Sequence, residues 1–135
     1  MWKSVLGVQT QLNNKEWKVY LSAREKRDYN AYRQVWRADY NDPSTFLILF
    51  KSDSGNDNTA GYNSKTYDTF MEQSTKLTGN PRMEAMMNAE KEFMSDFSVA
   101  PLYYFVTNCL VARNVSGYKG SPMDYHLSKW MDISK

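Results

Sequence analysis

The stretch Ala31-Tyr-Arg-Gln-Val-Trp-Arg-Ala-Asp-Tyr-Asn-Asp-Pro43 decides the reading of the fold. Val35 and Trp36 favour an extended chain, whereas Asp42-Pro43 offers an N-cap carboxylate followed by a proline suited to the first helical position. Ala31 to Arg37 reads as the second strand of a β-α-β arrangement, running into this helix-start signal. Asp39 falls at the junction, flanked by Trp36 and Tyr40. A carboxylate partly desolvated by aromatic rings attracts a cation strongly, an ammonium group among them. From local sequence alone, an Asx turn or a surface salt bridge is the more ordinary reading of an aspartate in such a turn. Period two sets Arg33 and Val35 opposite Gln34 and Trp36, so Arg33 and Trp36 meet one ligand only if the chain bends near the strand end.

Working outward, Leu6, Val8, Thr10 and Leu12 alternate with polar or small residues, which predicts a strand with one buried face, preceded by a helix end. Asn13 or Asn14 is expected to cap a helix reaching about Arg27. In it Trp17, Tyr20, Leu21 and Arg24 recur at helical spacing, so Trp17 and Arg24 share a face. Arg24 at the end of an apolar stripe either snorkels to solvent or points a guanidinium into a cleft. After the apolar segment Phe46, Leu47, Leu49 and Phe50, the Ser, Asp, Gly and Asn of 52–61 predict a loop. Its acids lack the spacing and the closing glutamate of a calcium loop. Ser64 opens a helix bearing Tyr67, Phe70, Met71 and Leu77 and ending near Gly79. Asn80-Pro81 opens another with a stripe of Met83, Met86, Met87, Phe93, Met94 and Phe97, which reads as core packing rather than a copper site. Val99 to Val106 reads as a buried strand, and Cys109 to Ala112 as a further short one.

With 135 residues, 41% hydrophobic and 24% charged, the composition is that of one ordinary globular domain. A net charge of +2, with basic residues interleaved by acids, argues against a nucleic-acid partner. The lone Cys109 has no intrachain disulfide partner and is expected to pack as a small apolar side chain. No run approaches the roughly 20 apolar residues that cross a bilayer, and the start lacks the pattern of a signal peptide. Catalysis finds little support: His126 is the only histidine, and no nucleophile-base spacing, zinc-ligand cluster or phosphate-binding glycine loop stands out. A metal or other cofactor is therefore not expected.

Asn14-Lys-Glu-Trp17-Lys-Val-Tyr-Leu21, followed by Arg24, Arg33, Trp36 and Asp39 and later by Ala100-Pro-Leu-Tyr103-Tyr104, resembles in order and spacing the C-terminal portion of bacterial periplasmic oligopeptide-binding proteins, the solute-binding components of ABC importers. The resemblance covers essentially the whole chain. It implies an α/β fragment of a two-lobed binding protein, with a mixed sheet flanked by helices. Residues 1–106 would belong to the distal ligand-binding lobe, and 107–135 to a tail returning to the other lobe. It further implies an oligopeptide ligand, a membrane permease as partner of the complete protein, and a periplasmic or lipid-anchored location. Asp39 matches the acid that pairs with the peptide α-ammonium group, and Trp17 and Trp36 match aromatics of the side-chain pockets. Arg24 and Arg33 match basic positions that meet the peptide carboxylate in some members, and Tyr103 and Tyr104 match a tyrosine-rich strand near the cleft. Phe105 departs from that pattern, standing where relatives often carry another tyrosine. The alternatives are a self-associating domain, since Leu110, Val111, Tyr118, Leu127 and Trp130 leave apolar tail surface to be covered, and a binder of cell-wall peptide or another small solute.

Overall fold

The computed structural model describes residues 1–121 and 123–134. They fall into two compact units, Met1–Tyr32 and Arg33–Lys135.

The first unit holds helices α1 (Trp2–Leu6) and α2 (Trp17–Glu25). Gly7 ends α1 at φ 69°, a left-handed conformation that glycine adopts without steric cost. The strand expected from Leu6 to Leu12 does not form: Leu6 closes α1, Val8 and Leu12 are exposed, and no ladder pairs the segment. Alternation selects which side chains share a face, but a strand exists only where a second backbone accepts its hydrogen bonds. Glu16 rather than Asn13 or Asn14 caps α2, its carboxylate accepting the N–H groups of Lys18 and Val19 at 2.9 and 3.4 Å. Trp17 stacks on Tyr20 with centroids 5.4 Å apart, and Tyr29 meets Tyr32 edge-on at 4.4 Å. No side chain of this unit is fully buried.

The strand expected over Ala31 to Arg37 does not form, since no ladder among the described residues pairs it, but the burial of 33–38 still alternates as in an extended chain: Gln34, Trp36 and Ala38 are half-buried, while Arg33, Val35 and Arg37 are exposed. A single turn of helix, α3 (Ser44–Leu47), follows, tightening into a 3₁₀ turn over Ile48–Phe50. Leu49 is buried there, but Phe46 stays 43% exposed.

The core is a helical hairpin of α4 (Lys65–Lys76) and α5 (Gly79–Ser95). Ser64 caps α4 by accepting the Tyr67 N–H at 3.2 Å, and its hydroxyl donates to Glu92 near the end of α5 at 3.0 Å. The start of one helix thus meets the end of the other, so they run antiparallel. Tyr62, Tyr67, Met71, Ala89 and Phe93 form the buried cluster. Phe50 packs 4.1 Å and Tyr62 5.0 Å from the Phe93 ring. The buried Tyr67 hydroxyl donates to the Leu47 carbonyl, tying α4 to α3.

Two expectations are corrected here. Gly79 opens α5 rather than closing α4, which stops at Lys76. The buried face of α5 is Ala85, Met86, Ala89 and Phe93, while Met83, Met87 and Phe97 are 42%, 50% and 88% exposed. Alanines at 85 and 89 let α4 approach closely, and that contact, not methionine content, selects the inner face.

The segments 99–106 and 109–112 also depart from the expected buried strands. Val99 touches the core, but Leu102, Tyr104 and Leu110 are exposed and neither segment belongs to a ladder. Cys109 is exposed instead of packed. Further on the tail folds back on itself, β1 (Val115–Ser116) pairing antiparallel with β2 (Asp132–Ile133) in the register Val115↔Ile133. The described residues therefore give helices and one two-stranded sheet in place of the mixed sheet expected.

Candidate functional site

The turn after the 33–38 segment places two aspartates three residues apart in opposite states. Asp42 is fully engaged. Its Oδ1 accepts the Ser44 N–H at 2.9 Å, and Arg82 from the first turn of α5 grips both oxygens at 2.7 and 2.8 Å. Such a bidentate fork is the strongest common form of ion pair, and with the Ser44 bonds it holds the Asp42 carboxyl far below the usual carboxylate range. α3 begins one residue later than anticipated, with Pro43 before its first residue. The Asx turn anticipated as one reading of Asp39 is thus built on Asp42.

Asp39 is fixed through its backbone. Its N–H donates to the hydroxyl of Thr45 at 3.0 Å, and Thr45 is 1% exposed, locked in the first turn of α3. Among the described residues no hydrogen bond or ion pair engages the Asp39 carboxylate, which is exposed. Trp36 is half-buried, its indole N–H shielded from solvent and without a partner among those residues. An anchored backbone presenting an open carboxylate, three residues after a half-buried tryptophan, is suited to meeting a cation.

The other predicted residues divide between the two units. Arg33 donates to the Tyr103 hydroxyl at 2.6 Å, and Tyr104 beside it is 98% exposed. In the first unit, Trp17 and Arg24 lie against the same ring: Trp17 stacks on Tyr20, and the Arg24 guanidinium sits 5.8 Å from the Tyr20 centroid. Trp17 is 65% exposed, whereas Arg24 is half-buried with its Nε shielded and unpartnered among the described residues. Thr45 and Arg82 escaped the sequence reading. Thr45 carried a weak local signal as a hydroxyl residue behind Asp-Pro-Ser. Arg82, 40 residues from its partner, carried none.

No family model matches the chain. Known proteins do. The periplasmic oligopeptide-binding protein OppA of Salmonella typhimurium is 39% identical over 126 residues, 92% of this chain and 23% of that protein. The chain is homologous to a portion of the periplasmic oligopeptide-binding proteins. A probable deoxycholate-binding periplasmic protein of Escherichia coli, YgiS, is 37% identical over 98% of the chain and 25% of its own length. Among solved structures, the OppA of Haemophilus influenzae in complex with the peptide RPPGFSPFR superposes with a TM-score of 0.90 at 34% identity, covering 99% of this chain and 27% of that one. The chain spans about a quarter of the length of the oligopeptide-binding proteins it matches.

Proposed function

We propose that the chain supplies one wall of the peptide cleft of an oligopeptide-binding protein serving ABC import, and that it captures ligand without catalysing a reaction. The carrying observation is the superposition, over nearly the whole chain, on an OppA crystallised with a peptide. In this reading the periplasmic setting of the relatives applies, and a membrane permease receives the loaded protein. Asp39 pairs with the peptide α-ammonium group, which fits its open carboxylate on a fixed backbone. Trp36 and Trp17 contribute aromatic walls, Arg24 and Arg33 meet the peptide carboxylate or acidic side chains, and Tyr103 and Tyr104 line the rim. Residues 1–106 belong to the distal ligand lobe and 107–135 lead to the other lobe. The exposure of Leu12, Leu102, Tyr104 and Leu110 on segments without ladder partners agrees with strands completed by chain outside these residues.

Calorimetric titration with free-amine tri- to pentapeptides, their N-acetylated forms and deoxycholate tests this. Saturable heat from free-amine peptides that disappears on acetylation and in Asp39→Asn is the expected result. Because ligand enclosure in this reading draws on both lobes, the affinity of these 135 residues taken alone is expected to be weak. Equal heats from acetylated and free peptides refute the role of Asp39, and a response to deoxycholate alone moves the ligand class. The same exposed segments favour a second reading, self-association, which predicts concentration-dependent sedimentation without peptide.

A further inference from the structure

Both arginines on the exposed face of the 33–37 segment are tied down. Arg33 reaches Tyr103. Arg37, directly after Trp36 and two residues before Asp39, donates through Nη1 to Asp124 Oδ2 at 2.6 Å. Asp124 is held in turn: its Oδ1 faces His126 Nε2 at 2.9 Å, and its backbone adopts φ 59°. A left-handed aspartate is uncommon, and one whose two oxygens are separately engaged is retained by those bonds.

The surroundings of His126 favour its protonated form. Nε2 faces the Asp124 carboxylate, and Nδ1 faces the Lys119 carbonyl at 3.2 Å. The Asp124 carboxylate and the Lys119 carbonyl are acceptors only, so both contacts are satisfied together when both ring nitrogens donate, and only the imidazolium carries two N–H groups. The Tyr118 ring stacks on the imidazole with centroids 4.9 Å apart and planes at 22°, an arrangement that favours a cation, and its hydroxyl lies 3.4 Å from Nε2. Among the described residues, the titratable and charged groups around this ring are Asp124, the Tyr118 hydroxyl with Cys109 against it, and Arg37 across the Asp124 carboxylate.

We propose that Arg37, Asp124 and His126 form a proton-dependent clasp that positions Trp36 and Asp39, complete when both nitrogens of His126 are protonated and loosened when one proton leaves. Arg37 and Asp124 are positioning residues in this arrangement, acting through the 33–38 segment and not on a ligand. The functional weight of the clasp rests on the ligand role proposed above for Trp36 and Asp39, but its existence does not. The Asp124 carboxylate first, then the Lys119 carbonyl, hold the His126 pKa above its usual value. The clasp is therefore complete below about pH 6.5 and opens as pH rises through the raised folded value.

The test is NMR of the intact chain across pH 5 to 9, without ligand. His126 is the sole histidine, so its titration is read directly. The expected result is a midpoint above about 6.5, with the Trp36 indole and Asp39 amide resonances moving with that same midpoint. Asp124→Asn lowers the midpoint. Arg37→Met leaves a titrating histidine but uncouples Trp36 and Asp39 from it, and Arg37→Lys restores the coupling in part. Trp36 and Asp39 resonances that ignore the His126 titration in the unmodified chain overturn the clasp, with no variant required. Equal coupling in Arg37→Met overturns the route through Arg37. Failure of peptide binding with the coupling intact refutes the ligand role alone.

Discussion

Replacing Thr45 by valine tests whether the Asp39 backbone is held as described. The side chain is 1% exposed, and its hydroxyl accepts the Asp39 N–H at 3.0 Å. A neutral hydrogen bond contributes about 0.5 to 1.5 kcal/mol net, and a stranded buried donor costs about 1 to 3 kcal/mol. Asp39 itself is exposed, so water can reach its N–H once the hydroxyl is gone, which places the expected loss at the low end, about 1 kcal/mol. For 135 residues, at roughly 2.1 cal/mol/K of unfolding entropy each, that lowers Tm by about 3 to 4 °C. Thr45→Ser keeps the hydroxyl and loses a methyl worth about 0.8 kcal/mol, so its Tm falls by a similar amount. The two variants separate at the Asp39 amide. Hydrogen exchange there is expected to quicken about fivefold in Thr45→Val, the equivalent of about 1 kcal/mol, and to stay unchanged in Thr45→Ser. Identical exchange in both variants refutes the claim that Thr45 anchors the turn.

Phe93→Ala removes the ring at the centre of the α4–α5 core, itself 5% exposed, and is expected to cost about 3 to 5 kcal/mol in urea denaturation. The folded Asp42 carboxyl lies far below its ordinary 3.8, so its contribution is present above that pH and is lost as pH falls. Asp42→Asn is therefore expected to lower Tm at neutral pH while flattening the acid limb between about pH 4 and 2, measured by thermal unfolding across pH. Gly117→Ala would set a Cβ 1.8 Å from the Trp130 carbonyl oxygen at a backbone φ of 75°. It is expected to open the β1–β2 pairing and expose the Ser134 amide to exchange, while Gly120→Ala, with open space around it, leaves that amide protected.

Residues near in sequence carried most of what was legible beforehand. Ser64 marked the start of α4 because its hydroxyl serves an N–H three residues on. The alternation across 33–38 was readable because side-chain direction in an extended chain repeats every two residues. Asp39 at the end of that segment, before the Asp-Pro helix start, needed only order and spacing. Strand formation was over-read at 6–12, 31–37, 99–106 and 109–112, since a pattern of side chains does not supply the second backbone that a ladder requires.

The sequence by itself determined the homology, the positions of the helices and the presence of an acid between two aromatic residues. The tertiary structure decided which acid is open. Arg82, 40 residues away, neutralises Asp42 and leaves Asp39 exposed; Ala85 and Ala89 turn Met83 and Met87 outward; Arg37 meets Asp124 across 87 positions. Caps and periodicity act within a turn or two of the chain, whereas the partner of a charge is set by which distant segments the packed core brings together.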